Sequence, residues 1–119
     1  MPNPSLSELI RSEPVVVLML PPEAKILDAF LLSLGKNAHA LKAHAPHGHF
    51  VLYDWYVKDF LKWSISVGRK NPKTPYKCKI PLGIALLLCR ELQAPIDIRL
   101  QIVLSGLHKA LINRGFLEI

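Results

Sequence analysis

The sequence contains only two cysteines, Cys78 and Cys89, and this scarcity excludes two common architectures. A disulfide-rich secreted domain needs several cysteine pairs, and a zinc knuckle needs a second pair of ligands. Cys89 lies within an apolar, helix-like run, where a buried reduced thiol is the usual state. Residues 1–13 also lack the basic start and the long apolar run of a secretory signal. We therefore expect a reducing, cytoplasmic location.

Long apolar runs are missing as well. The most apolar stretch, "IPLGIALLLC" at 80–89, falls far short of the roughly 20 residues that a membrane-spanning helix needs. We therefore expect no membrane partner.

The sequence also lacks the motifs that accompany nucleotide cofactors and nucleophilic catalysis. Its glycine-containing stretches "SVGRKNP" and "LSGLHK" match neither the P-loop nor the dinucleotide fingerprint. His108 stands alone, with no Ser, Cys or Asp beside it in a nucleophile pattern. We expect a binding protein rather than an enzyme, with no catalytic residue and no cofactor.

Helical periodicity is what the sequence has in abundance. Half of its 119 residues are hydrophobic, which is enough for one domain over 1–119 with its own core. The Val-rich stretch "PVVVLMLPP" predicts a short strand near 15–20. "IDIRLQI" alternates like a strand, but the longer apolar face from Ile96 to Leu111 favours a helix. The fold class is mainly α: helical turns at 5–12 and a compact bundle of about five helices, over 22–35, 37–45, 50–67, 82–93 and 96–111.

Several predicted helices carry consecutive apolar residues. Leu86, Leu87 and Leu88 cannot all face one core, because successive helical residues point about 100° apart. Leu31–Leu32 and 102–104 raise the same difficulty. A second subunit would bury the surplus, and a two-fold dimer is the commonest solution. We therefore expect a homodimer.

Positive charge is concentrated in one part of the chain. No acidic residue occurs between Asp59 and Glu91, although the whole chain carries 9 acids against 15 lysines and arginines. Trp63 lies within this span, and aromatic side chains among basic ones can stack on nucleic-acid bases. A localised basic segment at 69–79, predicted as a loop, is what phosphate binding requires. The candidate nucleic-acid-binding residues are Lys62, Arg69, Lys70, Lys73, Tyr76, Lys77 and Lys79.

Four of the five histidines fall within "HALKAHAPHGHF", residues 39–50. As metal ligands they would be His39, His44, His47 and His49. The first two are five residues apart, which places them about 140° apart around a helix. No Cys, Asp or Glu stands nearby in the sequence to complete a ligand set. We expect an exposed polar turn without a bound metal. Replacing His47 and His49 by Ala should therefore change thermal stability little.

These observations predict a small basic cytoplasmic binding protein, associated with nucleic acid through the basic segment. Two alternatives stay open. One is a protein-interaction or oligomerisation module that uses apolar helix faces and has no nucleic-acid role. The other is a metal-binding protein built on the histidines.

Overall fold

The computed structural model describes residues 14–92 and 97–113. Strand β1 (Val15–Met19) pairs antiparallel with strand β2 (Tyr76–Ile80), in a register that places Val17 opposite Cys78. Alternate side chains of β1 are buried and exposed, because successive residues of a strand point to opposite faces. The strand predicted near 15–20 is confirmed. The helical turns predicted at 5–12 lie outside the described residues.

Helix α1 (Pro21–Leu41) is longer than the sequence predicts, because it joins two predicted helices. The predicted end at Gly35 is wrong. A Cβ atom on this buried glycine would lie 2.0 Å from Cδ1 of Tyr53, so Gly35 lets another helix approach closely and does not end α1. The chain turns instead at Lys42, which has a positive φ of 53°, and a short 3-10 turn follows (Lys42–His44).

A continuous helical run comes next. It consists of α2 (His47–Trp55), a π-helical turn (Tyr56–Phe60) and α3 (Leu61–Gly68). One helix was predicted here, over 50–67, and the run contains it. Counted as one helix, the run brings the total to four helices in the described residues, against the predicted five or so. The mainly α-helical prediction is confirmed.

The segment predicted as a loop after Gly68 is a loop only in its first half. Residues 76–80 form β2, in which Cys78 and Ile80 are buried while Lys77 and Lys79 are exposed. This alternation has the period of a strand. The prolines of the segment lie outside the strand, where they cost no hydrogen bond of the ladder.

Helices α4 (Leu82–Glu91) and α5 (Ile98–Asn113) complete the described chain. The helical interpretation of the last segment is confirmed. Helix α5 packs against β1 at Gly106, where an added Cβ would lie 3.2 Å from Cγ1 of Val17.

Most of the consecutive apolar side chains pack into this one hydrophobic core. Leu88 is fully buried, and Leu86 and Leu87 pack against the same cluster of buried residues. Ile102 differs, because 53% of its surface is exposed. The crowding of leucines on α4 therefore gives weaker support to a dimer than the sequence suggests. In the part of the chain that the structure describes, no helix is long and apolar enough to cross a bilayer.

Candidate functional site

A pocket opens between the π-helical turn, α3 and strand β2, and we call it the Trp pocket. Its volume is about 300 Å³, at the lower end of the range of about 300–1,000 Å³ in which proteins hold small ligands. Short π-helical turns occur frequently at functional sites. The residues that line the pocket are Trp55, Asp59, Phe60, Trp63, Lys77, Cys78 and Lys79.

Aromatic rings form the inner wall of the Trp pocket. The ring centroids of Trp55 and Phe60 are 5.2 Å apart, and those of Phe60 and Trp63 are 5.6 Å apart, each pair tilted. Trp55 and Phe60 are buried, whereas Trp63 is half-buried and reaches the surface. The pocket therefore has a rigid apolar back and one accessible indole.

A hydrogen bond fixes this accessible indole against the strand. Trp63 Nε1 donates to the backbone carbonyl of Lys77 across 3.0 Å. That carbonyl therefore points away from β1, and antiparallel geometry turns the other backbone groups of Lys77 and Lys79 to the same side. The Trp pocket thus lies beside the edge of β2 that faces away from β1.

Charged groups stand at the rim of the Trp pocket. Lys77 and Lys79 are exposed and lie opposite Leu18 and Val16 of β1. Asp59, also exposed, lies on the π-helical turn and lines the pocket. Asp59 forms no side-chain hydrogen bond or ion pair with the residues that the structure describes. The rim therefore offers two cationic donors and one carboxylate that no described residue pairs with.

The remaining predicted residues lie apart from the pocket lining. Lys62 on α3 and Arg69 and Lys73 in the loop are exposed. Lys70 Nζ sits 5.0 Å from the ring centroid of Tyr76, in a cation–π contact that occupies one ring face. The structure thus brings two of the predicted lysines together with Trp63 and pairs Tyr76 with a lysine.

A short turn at Asn71 holds the conformation of the loop that precedes β2. Asn71 Oδ1 accepts the backbone N–H of Lys73 at 2.9 Å, and the Asn71 carbonyl accepts that of Thr74 at 3.2 Å. Asn is favoured in such turns because its side chain mimics a backbone acceptor.

Five lining residues were not among the predicted site residues: Trp55, Asp59, Phe60, Trp63 and Cys78. Of these, Trp63 was noted only as an aromatic side chain within the acid-free span. In an α-helix, residues five apart point about 140° away from each other, so Trp55 and Phe60 could not share one wall. The π-helical turn reduces this angle, and the two ring centroids are 5.2 Å apart. One signal was available for Asp59, because it lies four residues from both Trp55 and Trp63, a spacing that shares one helix face. The density of aromatic residues just before the acid-free span did not specify which rings would converge.

The histidines do not converge. His44 and His47 are exposed, while His39 lies against the rings of Phe50 and Tyr53 at centroid distances of 5.6 and 5.4 Å. Over residues 14–92 and 97–113, no three His, Cys, Asp or Glu side chains are grouped so that they could hold a metal ion. The described residues therefore give the metal-binding alternative no support.

His49 corrects the expectation of a uniformly exposed turn. Its Nε2 lies 2.9 Å from Glu91 Oε2, and the two side chains are only 18% and 19% exposed. The pair joins α2 to the end of α4. The sequence showed no acid near the histidines, because Glu91 approaches them only in the folded chain.

Both cysteine side chains are buried. Burial raises the pKa of Cys78 to about 12 and that of Cys89 to about 11, because the thiolate loses solvation. Cys78 contributes to the back of the Trp pocket, yet this high pKa makes it a poor nucleophile.

Comparison of the chain with protein-family models, curated proteins and solved structures finds no match.

Proposed function

We propose that this protein binds nucleic acid through the basic segment and the Trp pocket. The observation that carries the proposal is the position of Lys77 and Lys79, which stand exposed at the rim of a pocket walled by aromatic rings. Ammonium groups attract phosphates, and an accessible indole can stack on a base. Lys62, Arg69 and Lys73 would extend the positive surface along the strand of nucleic acid.

Single-stranded nucleic acid fits this surface better than a duplex. The pocket is a recess, and a base can enter a recess only when it is not paired and stacked within a helix. The lysines have flexible side chains, which read charge rather than base edges. We therefore expect tight binding to single strands and weaker, purely electrostatic binding to duplexes.

The test is the salt dependence of binding to labelled oligonucleotides, measured by fluorescence anisotropy. Each phosphate that is neutralised contributes roughly −0.7 to the slope of log affinity against log salt for a single strand. Replacing both Lys73 and Lys77 by Glu should therefore weaken binding and reduce the slope by at least about 1.4. The fold should persist, because both side chains are exposed.

The matched control is the double variant K25E and K36E, which alters the net charge equally at two exposed positions on α1. It should retain most of the affinity. Absence of binding at low salt, or equal losses in the two double variants, would contradict the proposal. Equal affinity for a polyglutamate peptide of the same charge would favour a protein-interaction role instead.

A second candidate is an oligomerisation module, and the exposed apolar side chains support it. Leu18 on β1 is 59% exposed, and on α5 the exposed fractions of Ile98 and Ile102 are 71% and 53%. The two isoleucines are four residues apart and so share one helix face. Light scattering at high micromolar concentration should give the mass of a homodimer, and replacing both isoleucines by Ser should give a monomer. A monomeric wild-type chain would refute this candidate.

We place the protein in the cytoplasm. Its two buried cysteine side chains are compatible with a reducing compartment. Fluorescence microscopy of a tagged full-length chain tests the location, and accumulation in an oxidising compartment would contradict it.

A further inference from the structure

Asp59 is the feature of the Trp pocket that phosphate binding leaves unexplained. A carboxylate at the rim repels phosphates and weakens the attraction of the neighbouring lysines. Carboxylate oxygens can only accept hydrogen bonds, and those of Asp59 are not engaged by the described residues. A ligand complementary to this pocket therefore carries hydrogen-bond donors as well as negative charge and a flat apolar surface.

A nucleotide combines these three features, and among the common bases guanine supplies the best donor set. Its N1–H and N2–H₂ groups lie side by side and match the two oxygens of one carboxylate. Adenine and cytosine offer an amino group beside an acceptor, and uracil offers one N–H between two carbonyls. An acceptor facing Asp59 would be repelled, so the carboxylate discriminates against these three bases.

We infer that the Trp pocket binds an unpaired guanine nucleotide. The base stacks on the indole of Trp63, Asp59 accepts hydrogen bonds from its N1–H and N2–H₂ groups, and Lys77 and Lys79 pair with its phosphate. This inference rests on the proposed nucleic-acid function and names the base that the same site selects. The small volume of about 300 Å³ suits one base rather than several.

The intact protein carries its own reporter for this inference. The chain has two tryptophans, and both line the pocket, so indole fluorescence reports on the pocket without background from elsewhere. Titration with the four nucleoside 5′-monophosphates should quench this fluorescence. We expect GMP to bind roughly tenfold more tightly than UMP, the discrimination typical of one good bidentate contact to a base.

Asp59→Asn is the decisive variant, because it keeps the shape of the side chain and removes one of the two acceptors. It should bring GMP affinity down to that of UMP, while UMP affinity stays constant or rises as repulsion of its phosphate is relieved. Asp54→Asn is the matched control, since Asp54 is an exposed acid on the same helical run that pairs with Lys58 at 3.1 Å. It should keep the GMP preference.

The remaining outcomes separate the inference from the function on which it rests. Equal quenching by all four nucleotides, or the same spectral change with inorganic phosphate, would overturn guanine selection. Absence of quenching by any nucleotide would also overturn it. The proposed function would survive either result if oligonucleotides still bound with a steep salt dependence. Failure of oligonucleotides to bind would overturn both.

Discussion

Replacement of Gly35 by Ala tests how closely α1 and α2 approach. The added Cβ would lie 2.0 to 2.5 Å from three ring atoms of Tyr53, so the ring must move. That ring also contacts His39 and Tyr56, which restricts where it can go. Overpacking of this kind costs roughly 1–3 kcal/mol, and the better helix propensity of Ala returns about 1 kcal/mol. With such a short approach we expect a net loss of about 1–2 kcal/mol.

Urea and thermal unfolding, followed by circular dichroism, measure this loss, which corresponds to a melting temperature lower by about 4–8 °C. In a Tyr53→Ala background the ring is absent, and the same change at Gly35 should instead stabilise by up to about 1 kcal/mol. Gly83→Ala is the control, because nothing lies within 4 Å of its Cβ position, and it should be neutral or slightly stabilising. If Gly35→Ala stabilised the wild-type chain, or destabilised both backgrounds equally, the close approach would be refuted.

Three further predictions concern titratable side chains that are buried or partly buried. Because burial raises both thiol pKa values, the native protein should react slowly with a thiol reagent at mildly alkaline pH, whereas in denaturant both thiols should react fast. For the same reason the free energy of unfolding should fall as the pH rises above the ordinary thiol pKa of 9.0. His47→Ala should leave stability unchanged. His49→Ala should cost about 1 kcal/mol by removing the hydrogen-bond partner of Glu91 Oε2, and equal melting temperatures for the two variants would argue against that contact. Burial also raises the pKa of Asp28, so its ionisation opposes folding at neutral pH. Asp28→Asn should therefore improve stability more at pH 7 than in acid, as checked by urea unfolding at both pH values.

The features that the sequence predicts well depend on short-range patterns. The Val-rich stretch between prolines predicts β1, and the long apolar face of the last segment predicts α5. Gly35 misleads for a physical reason. Glycine ends helices when a left-handed turn is needed, but it also occurs where two backbones or a ring must approach, and the sequence alone does not distinguish these uses.

Strand β2 was missed because its alternation is short and its surroundings resemble a loop. Tyr76–Ile80 has only two buried side chains in strict alternation with lysines, and three prolines stand close to it. Its strand conformation is secured by pairing with β1, which lies some sixty positions earlier. Such a partner is invisible to a local pattern, and the tertiary context overrides weak local preference.

The Trp pocket depends on two features of this kind at once. Strand pairing turns Lys77 and Lys79 outward in register with β1, and the π-helical turn brings Phe60 against Trp55 in the same pocket. The sequence indicated the basic residues and Trp63, since charge and aromatic content are compositional. The charge map gives no weight to an acid, although Asp59 lies four residues from both Trp55 and Trp63 and so shares a helix face with them. In the function proposed above, the acid-free span attracts the phosphate, and the acid just outside it supplies the selectivity that lysines lack.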